Sequence, residues 1–183
     1  MVVMDASTLL LLFDPQARPP KDETTGQPLE KCRERIDLLV QDLSEQKTVI
    51  LIPTPALSEI LIVSKTDADK AQIIAAISKS RVFRVQPFDE AAAIEVAKLT
   101  DVDIQSNREL SPVETKAKIK YDRQIIAIAK VNGVKMIYSD DTALCKKASA
   151  NGITAIKTSE LPFPQEPPQL ELQLINRENG TGQ

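Results

Sequence analysis

Short runs rich in Val and Ile alternate along this chain with longer stretches of helical periodicity, and that alternation confines it to an α/β fold. Strands are predicted over 1–4, 48–52, 81–86, 134–139 and 153–157. Helical patterns cover 28–46, 55–64, 67–80, 88–100, 112–132 and 141–151. The expected architecture is a three-layer α/β/α domain around a central, mostly parallel five-stranded sheet. At 183 residues the chain is long enough for one such domain to bury roughly two-thirds of its unfolded surface.

Local punctuation agrees with these elements. Pro55 suits an early helical position with Thr54 as its cap, and Thr66 or Asp67 caps the Ala71-Ile74-Ile77 stripe. Asp89-Glu90 favours a helix start. Ser111-Pro112-Val113-Glu114 reads as a capping box. Gly133 and Asn151-Gly152 supply helix stops. Three segments carry no clear period: 14–28, with four prolines and Gly26, read as an extended insertion; 101–110, read as a loop; and 160–183, read as an arm. The expected division is a domain over 1–158 followed by a Pro-containing tail, 159–183.

Composition removes several function classes. Histidine is absent, which excludes His-based triads, imidazole ligands and histidine general bases. The two cysteines, Cys32 and Cys145, are too far apart in sequence for zinc-site spacing and read as free thiols of a reducing, cytoplasmic setting. Met1-Val2-Val3-Met4 lacks the positive region of a signal peptide, and no run is long enough to span a bilayer, so no membrane association is expected. Net charge is −3, so nucleic acid would be bound through a local basic patch or a metal rather than by bulk charge. Lys116, Lys118, Lys120 and Arg123 form one such cluster, and Lys146-Lys147 another, although an exposed helix face is the ordinary reading of at least half of these residues. Aromatics make up only 3% of the chain and are not interleaved with the basic residues as base-stacking platforms would be.

Acidic residues then stand out by position. Asp5 ends the first apolar run. Glu59 lies one turn into the helix after Val49-Ile50-Leu51-Ile52. Asp122 opens the amphipathic stretch Arg123-Gln124-Ile125-Ile126-Ala127-Ile128-Ala129. Asp140 and Asp141 follow Val134-Lys135-Met136-Ile137-Tyr138-Ser139. Taken singly, each has an ordinary reading: Asp5 as a turn cap, Glu59 as a solvated helix residue, Asp122 as an N-cap, Asp140 and Asp141 as first-turn acids. A parallel sheet, however, brings all of them to one edge. Carboxylates gathered there repel one another unless a cation offsets the charge, and oxygen-only ligands suit Mg²⁺ or Mn²⁺.

The chain resembles the PIN-domain nucleases, which include many toxins of toxin–antitoxin pairs. The matching pieces are Val3-Met4-Asp5-Ala6-Ser7, Ala56-Leu57-Ser58-Glu59-Ile60, Tyr121-Asp122-Arg123-Gln124-Ile125-Ile126-Ala127-Ile128-Ala129 and Ser139-Asp140-Asp141-Thr142-Ala143-Leu144. The resemblance covers about residues 1–158. It implies strand order 3-2-1-4-5 and endoribonuclease activity dependent on Mg²⁺ or Mn²⁺. Asp5, Glu59, Asp122 and Asp141 would be the catalytic acids that bind one or two ions, with Asp140 the alternative to Asp141 or a fifth acid. Ser7 and Ser139 would orient them by hydrogen bonds. RNA as substrate, an antitoxin protein partner and a homodimer are implied as well; the Ile73-Ile74-Ile77 stripe offers a dimer surface or, equally, core packing. The competing expectation is a non-catalytic PIN-like module that binds RNA or protein.

Overall fold

The computed structural model describes residues 1–22, 24–105 and 116–164, with side chains at 1–22, 24–99 and 121–164. Strands β1 (Val2–Met4), β2 (Ile50–Pro53), β3 (Phe83–Gln86), β4 (Met136–Tyr138) and β5 (Thr154–Ile156) form one sheet in the order β3-β2-β1-β4-β5. Every pairing is parallel. The expected five strands and their order are therefore present, in a sheet that is wholly rather than mostly parallel. Val3 pairs with Leu51 on one side and with Ile137 on the other, which puts β1 at the centre.

Parallel neighbours need long crossovers, and among the described residues seven helices serve them. They are α1 (Ala6–Phe13), α2 (Cys32–Glu45), α3 (Thr54–Val63), α4 (Asp67–Lys79), α5 (Glu90–Gln105), α6 (Lys116–Val131) and α7 (Thr142–Ala150). All residues of β1 and β2 are buried. Successive strand side chains point to opposite faces, so both faces of the sheet are covered and the layers are α/β/α. The core is aliphatic, as the low aromatic content requires. Its largest fully buried side chains include Met4, Leu9, Ile36, Ile60, Ile126, Ile128 and Leu144.

Several local expectations are corrected. Helix α1 lies where no helix was expected: Leu9-Leu10-Leu11-Leu12-Phe13 is a continuous apolar run that carries no period to distinguish helix from strand. Residues 14–28 are not simply extended; the segment doubles back, with an antiparallel bridge between Lys21 and Pro28 and with Asp22 Oδ1 accepting the amides of Thr24 and Thr25. Thr54 does not cap α3. It is the first helical residue, Pro53 holds the cap position, and the Thr54 hydroxyl accepts the Phe88 amide instead. Residues 101–105, expected in a loop, continue α5. The capping box at 111–114 and the arm beyond residue 164 lie outside the described residues. Of the Ile73-Ile74-Ile77 stripe, Ile73 and Ile77 belong to the core while Ile74 faces out.

Other signals hold. Thr66 and Asp69 form a capping box on α4, and the Asp89 carboxylate accepts the Ala92 amide at the start of α5. Gly133 and Gly152 follow α6 and α7 with φ of +66° and +72°, a conformation that favours glycine. Beyond β5 a 3₁₀ turn, Thr158–Glu160, is tied to α2 by buried Arg35, which donates to the carbonyls of Thr158, Ser159 and Leu161. Among the described residues no helix is long and apolar enough to cross a membrane.

The strand order fixes where a site can lie. The chain runs outward from β1 to β2 and β3, then returns to place β4 on the other side of β1. The direction of winding reverses between β1 and β4, and the crevice beyond their carboxyl ends is the usual binding position of such sheets. Asp5 directly follows β1, and Ser139-Asp140-Asp141 directly follows β4.

Candidate active site

At that crevice a cavity of about 510 Å³ is lined by Asp5, Glu59, Asp122 and Asp141, together with Ser7 and Tyr121. Four sequence-remote acids thus meet in one place, each delivered by a different element. Asp5 comes from the β1–α1 junction, Glu59 from α3, Asp122 from α6 and Asp141 from the start of α7. Among the described residues no three acidic side chains are drawn together as a closed ligand set; the carboxylates line the walls of a shared cavity.

Asp5 is buried, at 5% exposure. It stands at the N-cap position of α1 but makes no side-chain cap, so the turn-cap reading does not hold. Its Oδ2 instead accepts the hydroxyls of Ser7, at 3.1 Å, and Ser139, at 3.0 Å. Burial pushes the carboxyl above its ordinary 3.8; the Ala6 amide and the Ser139 and Ser7 hydroxyls oppose that rise without cancelling it. The two serines also bind across the strand ends. Ser7 Oγ accepts the Asp140 amide and Ser139 Oγ accepts the Asp141 amide, each at 3.0 Å. The loop after β4 is therefore locked to Asp5 and the first turn of α1.

The adjacent aspartates have different surroundings. Asp141 is the N-cap of α7, its Oδ1 accepting the amides of Ala143 at 2.8 Å and Leu144 at 3.2 Å, and it lines the acidic cavity. Asp140 binds Thr158 through both carboxylate oxygens and borders a separate neighbouring cavity.

Asp122 is not an N-cap either. It sits well inside α6, and only 5% of it is exposed. Lys147, on α7, donates to its Oδ2 at 2.7 Å. Glu59 is exposed on α3, as a solvated helix residue would be, yet faces the same cavity as the other acids.

Three participants were not legible as such in the sequence. Tyr121 is half exposed and lines the cavity together with the apolar Pro55, Ile62, Val63 and Ile125. Thr158 and Lys147 act through pairings across elements, which no spacing rule marks. The side chains of Lys116, Lys118 and Lys120 lie outside the described residues. Both cysteines are free and buried. Cys145 donates to the Ser139 carbonyl, and burial pushes its thiol up to about 11, so it supports the loop rather than offering a nucleophile.

No protein-family model and no curated protein matches the chain by sequence. Solved structures do match. FitAcB of Neisseria gonorrhoeae aligns with a TM-score of 0.57 at 17% identity, over 88% of this chain and 100% of that one. VapC20 of Mycobacterium tuberculosis, a sarcin–ricin loop cleaving toxin, aligns at 0.53 and 16%, over 88% and 100%. DNA-bound VapBC of Salmonella typhimurium aligns at 0.52 and 16%, over 86% and 97%. Identities this low speak to architecture alone, and the architecture of this chain is the PIN-like fold those structures share.

Proposed function

We propose that the chain is an endoribonuclease dependent on Mg²⁺ or Mn²⁺, of the kind that serves as the toxin of a toxin–antitoxin pair. The observation that carries this reading is the convergence of Asp5, Glu59, Asp122 and Asp141 on one cavity at the carboxyl edge of the sheet. That a structural neighbour is a sarcin–ricin loop cleaving toxin supports RNA as the substrate. The FitAB and VapBC assemblies among the neighbours support a protein partner.

The donor set suits a hard divalent cation. It is all oxygen, and it includes a buried carboxylate whose charged form is disfavoured by its surroundings. Asp5, Asp122 and Asp141 would hold the ion, with Glu59 at the cavity rim. Once bound, such a cation places positive charge against the scissile phosphate and makes a nearby water more acidic.

The rest of the work falls to the chain. Ser7 and Ser139 fix the rotamer of Asp5 by their hydroxyls, and the backbone amides at the start of α7 fix that of Asp141. Glu59, exposed to solvent at the rim, orients the attacking water and accepts its proton at a carboxylate oxygen. The water attacks phosphorus in line with the departing oxygen. The apolar wall of Pro55, Ile62, Val63 and Tyr121 borders the space beside the scissile bond, where a nucleoside would lie.

Cleavage of a labelled single-stranded RNA in Mn²⁺, Mg²⁺ or EDTA, comparing wild type with Asp5→Asn, tests the proposal. Metal-dependent cutting that Asp5→Asn abolishes is expected. Cutting that persists in EDTA, or in the variant, places the chemistry elsewhere. RNA retention without cutting favours the binding-module reading.

A further inference from the structure

Beside the acidic cavity lies a second one of about 370 Å³, and the two share Ser7, Leu10 and Val63 as a common border. Its volume falls in the range of small-ligand sites, roughly 300–1,000 Å³. Ser7, Leu10 and Leu11 lie three and four residues apart on α1 and so share one helix face. The segment that follows α1 supplies much of the rest, and it is held at both ends. The Asp14 carboxylate accepts the Gln16 amide and the Asp14 carbonyl accepts the Ala17 amide, closing a turn as the chain leaves α1. Arg33 of α2 donates to the carbonyls of Leu12 and Asp14, and the Leu29 amide donates to that of Pro20. The insertion between α1 and α2 thus builds a cavity that opens beside the acids.

The chemistry of its lining is mixed. Leu10, Leu11 and Val63 give aliphatic surface, Asp14 and Asp140 give carboxylate oxygens, and Arg18 stands exposed among them. Aliphatic surface with carboxylate acceptors suits a ribonucleoside, whose hydroxyls and amino groups donate, and a guanidinium suits a phosphate. We propose that the second cavity is a nucleotide subsite for single-stranded RNA, which takes the nucleoside on one side of the scissile bond and places Arg18 on the phosphate beyond it. The proposal rests on the nuclease reading for the identity of the substrate. The strand would run with one nucleoside against Pro55 and Ile62, the cut phosphate at the acids, and the next nucleoside across Ser7 and Val63. Neighbouring bases held in two cavities are unstacked from each other, which an unpaired strand permits and a duplex resists. Arg18 is accordingly a substrate-binding residue, acting one phosphate away from the bond that breaks.

The test uses the full chain and a fluorescently labelled single-stranded RNA, with wild type, Arg18→Gln, Arg18→Lys and Arg81→Gln. Arg81 is exposed ahead of β3, at the opposite, amino edge of the parallel sheet, and so reports the effect of net charge alone. Cleavage kinetics in Mn²⁺, and anisotropy in Ca²⁺ over a range of salt, are read for each protein. Arg18→Gln should raise KM and Kd roughly tenfold and leave kcat nearly unchanged. It should also lower the salt slope of binding by ~0.7, the counterion release of one phosphate in a single strand. Arg18→Lys, which keeps the charge, should retain that slope, and Arg81→Gln should match wild type. Equal KM in wild type and Arg18→Gln overturns the proposal. So does an equal loss in Arg81→Gln, which assigns the effect to bulk charge, and so does a loss confined to kcat. The nuclease reading fails separately: RNA bound through Arg18 in Ca²⁺ but never cut in Mn²⁺ removes metal-dependent cleavage and keeps the subsite. Neither binding nor cutting by wild type removes both.

Discussion

Thr158 takes both oxygens of the Asp140 carboxylate, its amide donating to Oδ1 at 2.8 Å and its hydroxyl to Oδ2 at 2.6 Å. The pairing joins the loop after β4 to the turn after β5 and gives two adjacent aspartates different surroundings. Asp140→Ala should keep most of the cleavage activity while lowering stability by about 1–2 kcal/mol, because two hydrogen bonds to a charged group are lost. Asp141→Asn, which retains an oxygen to cap α7, should stay folded and lose cleavage on the order of 100-fold. Initial rates on labelled RNA and urea melts of both variants check this. The reverse pattern would make Asp140 the functional acid.

Asp5 gives a prediction in pH. Its folded-state carboxyl lies above the ordinary 3.8, chiefly because burial penalises the charge. The native protein therefore binds this proton more readily than the unfolded chain does. The contribution is fully present below about 3.8 and is lost as pH rises through the folded value, so at neutral pH the ionised Asp5 destabilises the metal-free fold. Asp5→Asn should be more stable than wild type at pH 7 in EDTA, and the difference should shrink as pH falls toward 4. Added Mn²⁺ should raise the melting temperature of wild type but much less that of the variant. A variant less stable than wild type in EDTA would show that the serine hydrogen bonds outweigh desolvation.

The sequence carried the fold where its signals were local. β-branched runs marked the five strands, and Thr66, Gly133 and Gly152 marked helix ends with the side chains or glycine freedom such ends require. It failed at α1, because five consecutive apolar residues fill every face of a helix and leave no period to read. At Thr54 it named the right residue type and the wrong partner, since the Phe88 amide that uses the hydroxyl lies 34 residues away. Asp5 and Asp141 could be placed at strand ends from the apolar runs they follow, whereas Glu59 and Asp122 lie inside α3 and α6 and reach the same cavity through packing. What orders the acids was not legible: the Ser139–Asp5, Thr158–Asp140 and Lys147–Asp122 pairings depend on which strand ends and helices become neighbours.

Helices α5 and α6 are joined by Lys130 and Glu95, whose side chains are 34% and 14% exposed. Hydrogen bonding to Lys130 is the largest influence on the Glu95 carboxyl and holds it below its ordinary 4.5, with Lys98 contributing further. A depressed carboxyl stabilises the fold above the unfolded value, and the effect is lost as pH falls from about 4.5 through the folded value. Glu95→Gln should cost about 1 kcal/mol at pH 7 and almost nothing once both forms are protonated. Since α6 carries Asp122, the variant should also reduce cleavage modestly at neutral pH. Chemical denaturation of both proteins across that pH range measures the first effect. A difference that does not vary with pH would assign the loss to packing.

Arg35 anchors the end of the described chain. It is 4% exposed on α2, and one of its guanidinium nitrogens donates to three carbonyls, those of Thr158 at 3.4 Å, Ser159 at 3.1 Å and Leu161 at 2.7 Å. The guanidinium also lies 3.7 Å from the ring centroid of Phe163, a cation–π stack that a lysine ammonium would reproduce poorly. Arg35→Lys should therefore cost roughly 2–3 kcal/mol, since a point charge on a thinner stem cannot serve the same carbonyls and ring together. The damage should be local first. Thr158 is held by Arg35 and itself holds Asp140, so protection of the Thr158 amide, which donates to Asp140, should fall before that of amides in β1. Hydrogen exchange read residue by residue separates the two, and equal loss at both would mean that Arg35 supports the whole core rather than the turn beyond β5.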